Sequence, residues 1–179
     1  MRPYFASLVC GLVLPVLSGC LLAQVGKKDD TPTKVEGGAA VSTLTAGPKD
    51  PDEREAPGKI DADAKTEFTT TDSGLKYRIL RKSEGKKPTA KDKVTVHYKG
   101  WLDNGKIFDS SYQRAEKISF GLNQVIPGWT EGMQLVGEGG MIELEIPYQL
   151  GYGERGTPGG PIPGKATLHF VVELFKVGK

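Results

Sequence analysis

The sequence predicts an α+β domain over residues 68–179, built on a largely antiparallel sheet. Four stretches of this region alternate apolar and polar residues, which is typical of strands with one buried face. One other stretch spaces its apolar residues four and three positions apart, which is typical of a short helix. Four strands and one helix favour a sheet with the helix packed on one of its faces.

The alternating stretches place the predicted strands in the order in which the chain reaches them. Their first apolar residues are Leu75, Val94, Ile142 and Leu168. After the second stretch, the segment Asp103-Asn104-Gly105 is a strong signal for a tight turn. We therefore expect the chain to reverse there, as an antiparallel sheet requires.

The predicted helix lies between the second and third alternating stretches. It begins at Pro127-Gly128 and ends at Gly137. Trp129, Met133 and Val136 fall on one side of it, so we expect that side to pack against the sheet.

The first 19 residues have the pattern of a secretory signal peptide, because Arg2 precedes an almost wholly apolar run over residues 5–17. The run ends in Leu17-Ser18-Gly19-Cys20, which resembles the bacterial lipobox, a motif whose cysteine is lipidated and becomes the new N-terminus. The sequence thus predicts lipidation at Cys20 and a membrane anchor. The alternative is an uncleaved membrane span, since residues 3–26 carry no charge.

Residues 20–67 are predicted to be the lipidated cysteine followed by a disordered linker. The stretch from Leu21 to Glu67 has no aromatic residue and is rich in polar residues, glycine and proline. Such a composition buries too little apolar surface to offset the entropy lost on ordering. An acidic cluster at residues 50–55 is interpreted as solvated, because it lacks the spacing of a cation-binding loop.

Composition and motifs exclude several classes of function. The net charge of +2 gives no reason to expect a nucleic-acid partner. Both cysteines, Cys10 and Cys20, precede the domain, so we expect neither a disulfide framework nor a cysteine zinc site in it. There is no serine-nucleophile elbow and no phosphate-binding loop. His97 and His169 are interpreted as exposed strand residues rather than catalytic ones.

Several motifs, in order and in register over about residues 70–177, resemble the FKBP-type peptidyl-prolyl isomerases. The main ones are Val96-His97-Tyr98-Lys99-Gly100, Gly105-Lys106-Ile107-Phe108-Asp109-Ser110-Ser111, Val125-Ile126-Pro127-Gly128-Trp129, Tyr152-Gly153 and Ala166-Thr167-Leu168-His169-Phe170-Val171-Val172-Glu173-Leu174. The resemblance implies a twisted antiparallel half-barrel wrapped around one short α-helix, with an apolar pocket for the substrate proline between them. It implies no metal or cofactor.

The resemblance also assigns the site residue by residue. The catalytic roles fall on Phe108, Asp109, Trp129 and Tyr152. The substrate-binding roles fall on Tyr98, Arg114, Ile118, Val125, Ile126 and Phe170. The aromatic residues among them could instead be plain core, and Asp109 could be an ordinary turn residue. The loop at residues 147–164 is either a floppy surface loop or a flap that shapes substrate access.

The predicted activity needs no bond-making, because isomerising an X–Pro bond only requires its partial double bond to twist. An apolar pocket favours the less polar, twisted amide, and the Tyr152 hydroxyl and the Ile126 N–H can hold substrate carbonyls. Three departures from the family pattern leave efficiency, substrate preference and macrolide affinity open. Ile118 replaces a common aromatic wall, the loop before Val125 is shorter than in well-known eukaryotic members, and the flap carries an additional residue.

The expected setting is extracytoplasmic. The lipid anchor would hold the domain at a membrane, the outer one if the cell has one, because Leu21 and not an aspartate follows Cys20. The expected partners are proline-containing exported polypeptides, macrolide inhibitors and the membrane, but no nucleic acid. We expect a monomer, since the linker takes the place of the dimerisation arm of many bacterial relatives. The alternative function is a non-catalytic proline-binding chaperone or adaptor.

Overall fold

The computed structural model describes residues 44–178. Within that range it contains one seven-stranded sheet, two short α-helices and three 3₁₀ turns. The predicted signal peptide, Cys20 and the first part of the predicted linker lie outside the described residues. None of the helices within the described range is long and apolar enough to cross a membrane.

The two longest strands lie at the centre of the sheet, and the shortest ones lie at its periphery. In chain order the strands are β1 Thr69–Thr70, β2 Lys76–Arg81, β3 Lys93–Leu102, β4 Ile107–Ser110, β5 Ile118–Gly121, β6 Met141–Ile146 and β7 Leu168–Gly178. The helices are α1 Ser111–Arg114 and α2 Pro127–Gly132, and the 3₁₀ turns are Leu122–Gln124, Met133–Leu135 and Tyr148–Leu150.

All strand pairs are antiparallel, in the order β1-β2-β6-β7-β3-β4. Strand β5 pairs with the first half of β3, and β4 pairs with its second half. The four predicted strands correspond to β2, β3, β6 and β7, and the predicted α+β class is confirmed. The sequence pattern missed β1, β4 and β5 because strands of two to four residues are too short to show alternation.

Helix α2 packs on the inner face of the sheet, which we define as the face that carries Val96, Tyr98 and Phe170. The predicted helical segment forms α2 and continues as a 3₁₀ turn, and its three apolar residues are buried as expected. Glycine permits the close approach of α2 to β6. A Cβ atom at Gly132 would lie 2.7 Å from the side chain of Leu144.

The prediction of a disordered linker is wrong for its second half. Residues 44–61, here called the strap, pack across the outer face of the sheet, which carries His97, Lys99 and Trp101. Three strap residues contact a second apolar cluster on that face: Leu44, Ala46 and Ile60, against Leu80, Trp101, Met141 and Val171. The composition of the segment misled the prediction because the sheet supplies the apolar surface that the strap itself lacks.

The interpretation of His97 as an exposed residue is also wrong, because α1 covers it. Its side chain is 1% exposed and stacks on Tyr112 with ring centroids 4.8 Å apart. Its Nδ1 lies 2.7 Å from Ser111 Oγ. Burial lowers the pKa of His97 below its ordinary value, and the nearby Glu55 carboxylate opposes that shift only in part. His169 is partly exposed and pairs with Asp103 at 2.7 Å.

Candidate active site

A cavity of about 510 Å³ lies on the inner face of the sheet beside α2. Eight of the ten site residues predicted from the sequence line it: Tyr98, Asp109, Ile118, Val125, Ile126, Trp129, Tyr152 and Phe170. The lining also includes Phe120 and Gln124, which the sequence reasoning missed. Phe120 follows Ile118 by two positions on β5, so strand alternation could have found it. Gln124 carries no comparable signal.

Trp129 forms the floor of the cavity and is held by three other rings. Its ring centroid lies 5.4 Å from that of Tyr98, 5.2 Å from that of Phe170 and 5.4 Å from that of Phe120. The interplanar angles of 89°, 86° and 62° are those of edge-to-face packing, the arrangement that aromatic quadrupoles favour. The indole is therefore fixed in orientation, and the floor is apolar.

One wall of the cavity is polar and internally paired. The Tyr98 hydroxyl donates a short hydrogen bond to Asp109 Oδ2. Arg114 donates to Asp109 Oδ1 at 2.7 Å, and it also reaches the Tyr98 hydroxyl oxygen at 3.4 Å. Arg114 is thus the partner for the aspartate that the sequence suggested. Both carboxylate oxygens of Asp109 are engaged.

The pairing also decides the protonation states of this wall. Burial and the adjacent Asp109 carboxylate raise the pKa of Tyr98 well above its ordinary value of 10, so the phenol stays protonated and can donate. The hydrogen bond to Asp109 raises the pKa of Arg114, so the guanidinium stays charged. The wall therefore presents one fixed carboxylate between a neutral hydroxyl and a cation.

The sheet register brings these residues together although they are separated along the chain. Asp109 on β4 pairs with Gly100 on β3, two residues beyond Tyr98. A Cβ atom at Gly100 would lie 2.6 Å from Phe170 and 2.7 Å from Phe108, so only glycine fits beneath these rings.

Phe108 and Arg114 are the two predicted site residues that do not line the cavity. Phe108 packs edge-on against Phe170, with ring centroids 5.5 Å apart, and so supports a wall residue from behind. Arg114 reaches the site through Asp109.

The loop at residues 147–164 is ordered and contributes Tyr152, which is 43% exposed, to the cavity mouth. The N–H of Gly153 bonds the Tyr148 carbonyl at 2.8 Å, and the N–H of Thr157 bonds the Ile162 carbonyl at 3.0 Å. Ile162 is buried in the main core. These contacts favour the flap over the floppy loop.

The described residues hold no cluster of three or more histidine, cysteine or acidic side chains that could bind a metal ion. The residues that line the cavity provide an apolar floor, a paired carboxylate and hydroxyl donors.

A family model described as FKBP-type peptidyl-prolyl cis-trans isomerase matches residues 84–175, slightly more than half of the chain. The chain belongs to this family. The matched range of the FKBP domain contains every residue that lines the cavity.

Similar proteins agree with this family assignment. The FKBP-type peptidyl-prolyl cis-trans isomerase FkpA of Buchnera aphidicola is 50% identical over 107 residues, which cover 60% of this chain and 42% of the relative. The protein of the same name from Aeromonas hydrophila is 44% identical over 146 residues, covering 79% of this chain and 54% of the relative. The chain thus spans about half the length of these curated relatives.

The FKBP fold is also found among solved structures. The crystal structure of FkpA from Escherichia coli aligns with a TM-score of 0.61 and 46% sequence identity, covering 64% of this chain and 53% of that one. The crystal structure of AtFKBP13 aligns with a TM-score of 0.56 and 35% identity, covering 62% of this chain and 98% of that one.

Proposed function

We propose that this protein is a peptidyl-prolyl cis-trans isomerase that acts on X–Pro bonds of unfolded polypeptides. The observation that carries the proposal is the cavity itself, in which a fixed indole floor faces the paired Tyr98–Asp109–Arg114 wall. Membership of the FKBP family supports the reaction type.

The proposed mechanism is non-covalent stabilisation of a twisted amide. The barrier to rotation is about 18–20 kcal/mol because the C–N bond has partial double-bond character. Twisting removes that resonance and makes the amide less polar, so an apolar cavity binds the twisted form better than the planar one. The pyrrolidine ring would lie on Trp129, and the Tyr152 hydroxyl and the Ile126 N–H would donate to substrate carbonyls.

The required stabilisation is within reach of such contacts. A rate gain of about a thousandfold to a millionfold needs about 4–8 kcal/mol of preferential binding to the transition state. Isomerisation transfers no proton, so Asp109 need not act as a base. In the proposed mechanism, its charge holds Tyr98 and Arg114 in place and sets the electrostatic field along one wall.

The test is proline isomerisation in a tetrapeptide, measured on the chain from residue 20 onward. Trp129→Ala and Asp109→Ala should each lower kcat/KM by about tenfold or more, that is by at least 1.4 kcal/mol. Phe175→Ala, which truncates an exposed aromatic residue on the outer face, is the matched control and should keep wild-type activity. Equal turnover in all four proteins would reject the site.

A folded wild-type domain that binds proline peptides without isomerising them would favour the alternative, a non-catalytic chaperone or adaptor. Ile118, at a position where an aromatic wall is common in the family, would then be the first residue to exchange, as Ile118→Phe.

We further propose that the protein acts on exported polypeptides from a lipid anchor at Cys20, as a monomer outside the cytoplasm. The signal-like run and the lipobox-like Leu17-Ser18-Gly19-Cys20 support this setting. Cys20→Ala should move the protein from the membrane fraction to the soluble fraction. Retention of the variant in the membrane fraction would contradict a lipid anchor at this residue.

A further inference from the structure

Helix α1, which follows β4 and carries Arg114 of the polar wall, is too short to hold its own shape. It has four residues, and one helical turn is unfavourable in isolation. Ser110 precedes it without a side-chain capping bond. Ala115 ends it in the left-handed region at φ 51°, a conformation that costs energy for a residue with a Cβ atom. The geometry of α1 must therefore be imposed by its neighbours.

The inner anchor of α1 is Ser111. Its buried hydroxyl accepts the Tyr98 N–H at 2.8 Å and donates to the Tyr98 carbonyl at 3.1 Å. This contact fixes the beginning of the helix to β3, and the next residue, Tyr112, stacks on His97 of the same strand.

The outer anchor is the strap. The carbonyl of Tyr112 accepts the N–H groups of Arg54 at 3.1 Å and Glu55 at 3.3 Å. The Gln113 side-chain amide donates to Asp50 Oδ2 at 2.9 Å. Every contact of this set comes from a segment that lies outside the matched family range of residues 84–175.

The strap is itself firmly held, so it can act as a support. The ammonium group of Lys99, 2% exposed, donates to the Pro48 carbonyl at 2.9 Å and to Glu53 Oε1 at 2.6 Å. The N–H of Gly58 donates to Glu173 Oε1 at 2.9 Å. Glu173 Oε1 also accepts the Tyr112 hydroxyl at 2.7 Å, so the strap and α1 share one acceptor.

Arg114 follows Gln113 directly on α1, and its guanidinium donates hydrogen bonds to Asp109 and Tyr98. We propose that the strap positions Arg114, and with it Asp109, through its contacts with Tyr112 and Gln113. Asp50 and Gln113 are then positioning residues for the cavity, although neither lines it. The effect on turnover rests on the proposed isomerase function, whereas the effect on geometry does not.

A purely structural role for the strap would lower stability and leave the cavity unchanged in the folded molecules. A double-mutant cycle separates the two roles, because residues that act through one another show non-additive effects. The single variants are Asp50→Ala, Gln113→Ala and Arg114→Ala. The double variants combine Arg114→Ala with Asp50→Ala or with Gln113→Ala.

Asp50→Ala and Gln113→Ala should each lower kcat/KM by about threefold to tenfold, chiefly through kcat, as expected for coupled contacts. In the Arg114→Ala background, each of these two substitutions should lower kcat/KM by less than about twofold. Asp50→Asn, which keeps an acceptor oxygen for Gln113, should retain activity. The matched control Asp52→Ala removes an exposed carboxylate from the same strap and should also retain it. Thermal unfolding of each variant identifies losses that come from unfolding alone.

A second readout makes the geometry testable without turnover. The chain has two tryptophans. Trp101 lies under the strap at Gly47, and Trp129 lies at the cavity floor against Tyr98. With 5-fluorotryptophan incorporated, each gives one ¹⁹F resonance, assigned by Trp101→Phe and Trp129→Phe. Asp50→Ala should shift or broaden the Trp129 resonance, and Asp52→Ala should shift neither.

Each outcome decides the proposal. An active wild type with non-additive cycles supports it. An active wild type with additive cycles and an unmoved Trp129 resonance overturns it and leaves the isomerase function standing. An inactive wild type contradicts the isomerase function. In that case the positioning role is supported if the Trp129 resonance shifts or broadens in Asp50→Ala, and it is overturned if the resonance is unchanged.

Discussion

The two faces of the sheet bury their residues by different means. The inner face is covered by apolar and aromatic side chains and keeps an open cavity. The outer face buries Lys99 and Glu173 beneath a strap that contributes few large side chains, and it buries His97 against Tyr112 of α1. Burial without partners is costly for charged groups and harmless for apolar ones. The outer face is therefore held by specific pairing, while the inner face can leave space for a ligand.

Glu173 shows how completely the outer face pairs its charges. Its carboxylate accepts the Gly58 N–H and the Tyr112 hydroxyl, and it pairs with Arg81 at 2.8 Å. Burial raises the pKa of Glu173, but these three donors outweigh burial and hold it below its ordinary value. Glu143 on β6 has one charged partner, Arg78 at 2.7 Å, and there burial prevails and raises the pKa.

The polar wall of the inner face is the opposite case. The side chains of Asp109 and Arg114 are 41% and 44% exposed. An ion pair this open contributes about 0–1 kcal/mol to stability. Its value lies in orienting groups toward the cavity, so we expect variants of this wall to affect chiefly activity, and variants of the buried charges on the outer face to affect chiefly stability.

The largest expected effect is on the outer face. Glu173→Ala removes the acceptor of the buried Tyr112 hydroxyl and of the Gly58 N–H, and one partner of the partly exposed Arg81, and should lower the free energy of unfolding by about 3–5 kcal/mol. The matched control is Glu145→Ala on the neighbouring strand, whose partner Lys76 is 46% exposed, and it should cost about 0–1 kcal/mol. Urea unfolding measures both. Equal losses would remove the distinction between paired and solvated charges.

A substitution at Gly100 should lower stability by a smaller amount and should lower activity as well. Gly100→Ala places a methyl group against Phe170 and Phe108, and should lower stability by about 1–3 kcal/mol and reduce isomerase activity. Gly178→Ala is the control, since its Cβ atom would lie 3.6 Å from the nearest atom, the Lys93 carbonyl oxygen. Unfolding and turnover are measured on the same samples. Unchanged activity in Gly100→Ala would mean that the position of Phe170 does not matter for activity.

His97 should make stability depend on pH. Its pKa in the folded protein lies below the ordinary 6.5. Below that pH the unfolded chain binds a proton that the folded chain does not, so stability falls as pH falls. We expect the free energy of unfolding to fall between pH 6.5 and 5.5, by no more than the roughly 1.4 kcal/mol per pH unit that one differing proton allows, and we expect no such fall in His97→Gln. Urea unfolding across this range measures the slope, and measurements between pH 7.5 and 8.5 serve as the control. A slope that persists in the variant would assign the effect to another group.

The smallest expected effect is at the flap. Tyr152→Phe removes a half-exposed hydroxyl that the mechanism uses to hold a carbonyl, and should lower kcat/KM by about twofold to tenfold with unchanged stability. Tyr148→Phe in the same loop is the control, because it lies outside the cavity lining. Equal activity in wild type and Tyr152→Phe would mean that the ring, and not its hydroxyl, contributes to the site.

Much of the site could be predicted because its residues stand in short motifs along the chain. Tyr98, Asp109, Ile126 and Trp129 were found in this way, and the structure brings them to one cavity. Phe120 and Gln124 were missed, since they line the cavity through their place in the sheet and the following turn.

The long strands, the helix and the apolar face of each strand could be predicted from the sequence. Period-two and helical spacing depend only on backbone geometry, so they can be read locally. Only the folded structure shows that the polar face of β3 is also buried, with Lys99 under the strap and His97 against Tyr112 of α1. No local pattern could reveal this, because the strap groups that pair with Lys99 lie 51 and 46 positions earlier in the chain, and Tyr112 reaches His97 only through the fold of β4 and α1.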